Sequence, residues 1–215
     1  MDLIKMVQSI SEVLNGINDV NVDTLEISPP TSSDAIENVE QLLGIKFPSN
    51  LKKIYCTESS KIVFMWSANT EVFGAYCKSG ELNILSPDEV LSYRNEILEL
   101  VNETINTISS GDHVTRGMHL LSSDWVHWYP FAVFSNGDAF CFDTRSNLSI
   151  VFLEHDVMDG GPFIHGTKIA ENFDELINTW SKLAFVDVYD WSKVVNEKGI
   201  NKYSPYFEKL LSLDI

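Results

Sequence analysis

The chain has 215 residues, 44% of them hydrophobic and 11% aromatic, with 31 acidic side chains against 15 basic ones and a formal charge of −16. That apolar content excludes intrinsic disorder and suffices for a packed core without disulfide or metal staples. The acidic balance argues against binding to nucleic acid through its phosphates or to an anionic membrane, since both need a basic face.

The first predicted helix carries Leu3, Val7, Ile10, Leu14 and Ile17 at i, i+4, i+7 spacing and ends near Gly16. A polar connector is expected from Asn18 to Pro30. Asp34 and Glu37 resemble an acidic capping box and open a helix with Ile36, Val39, Leu42 and Leu43 inward, with Gly44 placed just past its end. Pro48 reads as the first residue of a helix carrying Leu51, Ile54 and Tyr55. Lys61 to Trp66 and Glu71 to Cys77 read as the strands of a hairpin.

Ser86-Pro87-Asp88-Glu89 is a strong helix start, with Ser at the cap, Pro at the first position and Glu at the third. That helix runs to about Ile108, and Gly111 stops it. Three strands follow, Trp125 to Phe134, Asp138 to Asp143 and Leu148 to Leu153, the first two joined by Asn136-Gly137, whose residues tolerate the positive φ of a tight hairpin. Aromatic residues on both faces of Trp125 to Phe134 predict a central strand covered on each side. Asn172 with Glu175 caps another helix, and Ser204-Pro205 starts a short last one. Without βαβ alternation, the order predicts one α+β domain over residues 1–215, with a mostly antiparallel (mixed) sheet covered by helices.

Acidity is spread through the chain: residues 1–60 hold 4 basic and 9 acidic side chains, residues 61–120 hold 4 and 8, and residues 121–215 hold 7 and 14. From Gly117 to Thr167 the only basic side chain is Arg145. Charge distributed over a folded body acts as a field that attracts cationic partners. Cys56, Cys77 and Cys141 form no CxxC, and Met1 to Lys5 does not open a secretory signal, so a reduced, cytoplasmic protein with no membrane span is expected.

Catalytic signatures are missing from the sequence. All five histidines fall between His113 and His165, among Asp and Glu residues, but HExxH and paired Cys/His spacings do not occur. Residues 154–161 lack the order of a calcium loop. Gly160-Gly161 precedes Pro162, where a phosphate cradle needs Gly-Lys-Ser/Thr. There is no GxSxG elbow. No enzyme, cofactor or metal is expected; a metal-assisted hydrolase using the segment 113–165 stands as an alternative, as does an intracellular scaffold or regulator.

Three pieces together resemble the SMI1/KNR4 family, the core of the SUKH superfamily. The first runs from Ile36 through Leu42-Leu43-Gly44-Ile45-Lys46-Phe47-Pro48 to Tyr55. The second is Trp128-Tyr129-Pro130-Phe131-Ala132 continuing through Asn136-Gly137-Asp138 to Asp143. The third is Ile169 to Ile177, with its Asn172-Phe173 step. They cover Ser33 to Ala184 in the family's order, leaving residues 1–32 and 185–215 as extensions. One departure is Cys56-Thr57-Glu58-Ser59-Ser60, where the family usually has an Asn-Gly or Gly-Gly turn.

The resemblance implies a non-enzymatic domain used for binding, and for a compact bacterial chain an immunity protein that neutralises a toxin domain, frequently a nuclease. Nucleases grip phosphates with basic surfaces, so an acidic inhibitor suits them, and complementary fields speed association. The expected partner is a cognate cationic toxin domain, met by a monomer or weak dimer. Asp138, Asp143, Glu154, Asp156 and Asp159 are the expected contact residues, with Trp125 and Trp128 as anchors.

Overall fold

A computed structural model describes residues 2–111, 115–155, 164–187 and 191–213. The N-terminal part comprises α1 (Leu3–Asn15), β1 (Val20–Ile27), α2 (Ser33–Leu43), α3 (Ser49–Thr57), β2 (Ile62–Ala68), α4 (Thr70–Phe73) and β3 (Ser79–Ile84). Helices α5 (Pro87–Ser110) and α6 (Arg116–Asp124) lead into β4 (Trp128–Val133), β5 (Ala139–Asp143), β6 (Ser149–Leu153) and β7 (Lys168–Ala170). The chain closes with α7 (Phe173–Trp180), α8 (Trp191–Val194), the strands β8 (Val195–Asn196) and β9 (Gly199–Ile200), and α9 (Glu208–Leu211).

Strands β1 to β7 form one sheet in chain order, each paired antiparallel with the next. The α+β expectation holds, with a sheet that is antiparallel throughout rather than mixed. β4 is its central strand, as its two-sided apolar pattern indicated. Local signals hold where they are strongest. Ser86 and Glu89 close a reciprocal capping box on α5, and Gly111 ends it in the left-handed region at φ +79°. Asn172 caps α7 by accepting from the Glu175 amide. The Asn136-Gly137 turn links β4 to β5, with Gly137 at φ +95°.

Other boundaries differ from expectation. The polar connector contains β1: a register shift between Val22 and Thr24 breaks the two-residue period that would have revealed it. The partner of β2 is β3, not residues 71–77. Asn69 accepts from the Glu71 amide and starts the helical turn α4 there. Helix α2 is capped by Ser32 rather than Asp34, and Pro48 occupies the cap of α3 rather than its first turn. Residues 116–127 form α6 and a 3₁₀ turn, so the strand expected from Trp125 begins at Trp128.

One apolar core runs through the fold from Leu3 to Leu210. Phe131 stacks on Phe142 with ring centroids 4.2 Å apart, and Phe173 of α7 meets Phe131 edge-on. Trp180 packs edge-on against Phe140 and Phe185 at 5.0 and 5.3 Å. Such aromatic pairs add roughly 0.5–1.5 kcal/mol each beyond area burial. The β8–β9 hairpin lies against β7, where Gly199 is so close to the Ile169 carbonyl that a Cβ would stand 2.0 Å from its oxygen. No described helix is long and apolar enough to cross a membrane.

Candidate functional site

The β4–β5–β6 meander carries or borders Trp125, Trp128, Asp138, Asp143 and Glu154 of the residues expected to meet a partner, and its register separates them into two groups. Trp128 pairs with Asp143 at one end of β5. Asp138 immediately precedes the other end, and Ala139, the first residue of β5, pairs with Leu153, the last of β6. Glu154 and His155 therefore emerge beside Asp138.

Asp143 is 6% exposed and fully engaged. Its Oδ2 accepts from Trp128 Nε1 at 3.1 Å and from Arg145 Nη2 at 2.8 Å, and its Oδ1 accepts from the Arg145 backbone amide at 2.8 Å. Burial pushes the Asp143 carboxyl up, but the hydrogen bonds from Arg145 and Trp128 outweigh it and hold its pKa below the usual carboxylate value. Arg145 also bridges to Asp124 at 2.8 Å. This group clamps the 3₁₀ turn Thr144–Ser146 between β5 and β6.

At the opposite end Asp138 is 7% exposed. Its Oδ1 accepts from the His155 amide at 2.9 Å and lies 2.7 Å from His155 Nδ1, while its Oδ2 accepts from Asn136 Nδ2 at 2.7 Å. Gly137 fits beneath the imidazole, where a Cβ would come within 3.2 Å of the His155 ring. Glu154 is half-buried, and its Oε2 has no hydrogen-bond partner among the described residues. Burial first, and the Asp138 carboxylate second, raise its pKa.

His165 joins the two groups. Its Nδ1 accepts from the Glu154 amide at 3.2 Å, Trp125 Nε1 donates to its Nε2 at 3.3 Å, and its ring lies 4.8 Å from that of Trp128. Accepting at both nitrogens suits a neutral ring poorly, and the long Trp125 contact is the weaker of the two. Desolvation lowers the His165 pKa to about 4.

Trp125 and Trp128 are 4% and 1% exposed, so the two expected anchors are core residues with almost no surface to give a partner. Asp138 and Asp143 likewise hold the meander in shape. Asp156 and Asp159 lie outside the described residues. Among the described members, Glu154 keeps access to solvent. Among the described residues, no three His, Cys, Asp or Glu side chains converge to hold a metal ion, and Cys77 and Cys141 are buried, with both thiol pKa values raised by burial.

Exposed carboxylates also line α5. Glu96, Glu99 and Glu103 of α5 are exposed, and none joins an ion pair among the described residues. Several other carboxylates have a counter-ion: Glu40 has Lys46 and Lys52, Glu89 has Lys61, and Asp124 and Asp143 share Arg145, whereas Asp19, Asp23 and Glu26 at and beside β1 are exposed and, like the α5 glutamates, join no ion pair among the described residues. The signal for α5 was present in the sequence: between Lys78 and Arg116 the only basic residue is Arg94.

The chain belongs to the SMI1 / KNR4 family (SUKH-1), whose model matches residues 30–179. No curated protein matches it.

Proposed function

We propose that this member of the SMI1/KNR4 family is an immunity protein that binds and neutralises a cognate, cationic toxin domain, with a nuclease as the favoured class. It acts by binding and not by catalysis, inside the cell it protects. Family membership supports a binding role, and the observation that carries the electrostatic part is the exposed, unpaired acidity of α5 within a chain of net charge −16. A basic nuclease held by carboxylates in place of phosphates loses access to its substrate, and opposite fields raise the association rate by about 10 to 10³-fold at low salt. Glu154, Asp156 and Asp159 remain candidate contact residues, the first of them half-buried and next to His155, whose exposed ring pairs with Asp138.

The test is co-expression with a toxin domain found in an adjacent gene, in cells that the domain alone kills. Survival, together with a stoichiometric complex on gel filtration, is the expected result. If the chain neither rescues growth nor binds that domain, the reading falls. Steering predicts that the association rate drops at least tenfold between 50 and 500 mM salt; a rate independent of salt removes the electrostatic part.

A further inference from the structure

Helix α5 spans 24 residues, about 36 Å, and has two unlike sides. Val90, Arg94, Ile97, Val101 and Thr104 are buried. On the outward side Tyr93, Glu96, Leu100 and Glu103 follow at i, i+3, i+7 and i+10, with Glu99 alongside. Residues so spaced form one stripe. Tyr93 is 37% and Leu100 47% exposed, and all three glutamates are exposed.

Among the described residues, none of the three glutamates joins an ion pair, and Tyr93 and Leu100 keep a third or more of their surface exposed. Glu96 and Glu99, and Glu99 and Glu103, are like-charge neighbours at i, i+3 and i, i+4, an arrangement that weakens a helix. The one cation of α5, Arg94, is turned inward and 6% exposed, donating from Nη1 to the Trp125 carbonyl at 2.7 Å and from Nη2 to the Val126 carbonyl at 2.5 Å. An apolar pair bordered by uncompensated carboxylates has the make-up of a recognition patch, with a residue to bury and a charged rim to orient the partner.

Charge selects the occupant. A second copy docked through the same stripe would set glutamates against glutamates, and nucleic acid would be repelled outright. A protein surface bearing Lys or Arg around an apolar residue satisfies both parts of the stripe.

We propose that the Tyr93–Glu96–Leu100–Glu103 face of α5, with Glu99, is the docking surface for the cationic partner protein, whose apolar residue seats on Tyr93 and Leu100 between its basic side chains. This rests on the cationic-partner reading above and adds where that partner binds.

The probe is a fluorescently labelled 18-residue amphipathic Lys/Leu helix, titrated by anisotropy at 50 and 300 mM salt. Variant chains are E96Q/E99Q/E103Q, Y93A/L100A, and a control, D19N/D23N/E26Q, which removes three exposed carboxylates at and beside the edge strand β1. Urea unfolding confirms that each is folded. Binding weakens at least tenfold in the α5 triple variant and at least threefold in Y93A/L100A, and stays within twofold of wild type in the control. Equal losses in the triple variant and the control would mean that net charge alone binds the peptide and would overturn the proposal, as would wild-type binding by the triple variant. The same variants enter the co-expression assay. If wild type and the α5 variants all neutralise the toxin, the docking surface is wrong and the immunity reading stands. If wild type fails to neutralise while peptide binding still depends on α5, the immunity reading falls and the surface stands.

Discussion

The indole of Trp66 fills the space that a side chain on Gly80 would need. The two are register partners on β2 and β3, and a Cβ built on Gly80 would lie 1.9 Å from Trp66 Nε1. That nitrogen donates to the Ala184 carbonyl at 2.6 Å, so the indole cannot swing aside without losing its buried hydrogen bond.

Gly80→Ala therefore destabilises the fold by about 3 kcal/mol or more, at the upper end of overpacking costs. Trp66→Phe, which frees the space but orphans the Ala184 carbonyl, costs about 1–3 kcal/mol. In the double variant the steric part of the Gly80→Ala cost shrinks, because the smaller ring accommodates the methyl group. Urea denaturation of the four proteins as a double-mutant cycle measures the coupling, and additive costs would contradict this geometry.

Glu40 organises the step between α2 and α3. Its side chain is 1% exposed, and it accepts from the Phe47 amide at 3.0 Å and from Lys46 Nζ at 2.8 Å. Burial raises the Glu40 carboxyl, and the bonds from Lys46, Phe47 and Lys52 more than reverse it, leaving the pKa lowered. Glu40→Ala leaves the Phe47 amide without its acceptor and costs about 2–3 kcal/mol in thermal unfolding, while Glu40→Gln, which keeps an acceptor oxygen, costs less. A lowered carboxylate pKa contributes stability that is present above about pH 4.5 and is lost as pH falls through the folded-state value, so Glu40→Gln also reduces acid sensitivity below pH 4.5.

Asp143→Asn breaks the ion pair with Arg145 and leaves the guanidinium facing a neutral amide. A loss of about 2 kcal/mol in urea unfolding is expected. Because Asp143 is buried, affinity for a cationic partner stays within twofold of wild type once the variant is folded. A tenfold loss of affinity at unchanged stability would instead place Asp143 in the interface.

His165 gives a pH dependence of defined sign. Its folded pKa is about 4, against about 6.5 for a free imidazole, so between those values the unfolded chain binds more protons than the folded one. Stability accordingly falls as pH drops from 6.5 toward 4, by an amount on the order of 2 kcal/mol. Glu154, whose pKa is raised, contributes the opposite slope above its ordinary value. His165→Gln removes the histidine slope, and urea midpoints at pH 7, 6 and 5 then stay level or rise as pH falls. An unchanged decline in the variant would show that another group titrates.

Elements written in short-range chemistry were legible from the sequence. The Ser86–Glu89 box, Gly111, Asn172 and the Asn136-Gly137 turn all act through backbone groups within a few residues. β1 was hidden because the bulge at Val22/Thr24 shifts the phase of its alternation. β3 was hidden because Ser79-Gly80-Glu81-Leu82-Asn83-Ile84 lacks the β-branched run of a typical strand: Gly80 is there for the Trp66 indole, and Glu81 accepts from Ser135 across the sheet. The family's three pieces lay within the chain order, yet the burial of Trp125, Trp128, Asp138 and Asp143 depends on His165, Arg145 and Asn136 arriving from separate turns. Spacing alone does not distinguish a tryptophan that anchors a partner from one that supports a turn.

Because every strand of the sheet lies beside its predecessor, the sheet can zip up in the order in which the ribosome delivers it. Hairpins close over short loops, whose entropic cost is small, and each new strand finds a finished edge waiting. The exceptions are the passage from β1 to β2, which carries α2 and α3, and the longer one from β3 to β4, which must wait for α5 and α6. During that interval β3 is a temporary open edge in a half-built sheet, the state most exposed to wrong pairing. The helix that carries the unpaired glutamates is thus also part of the passage that separates the two halves of assembly.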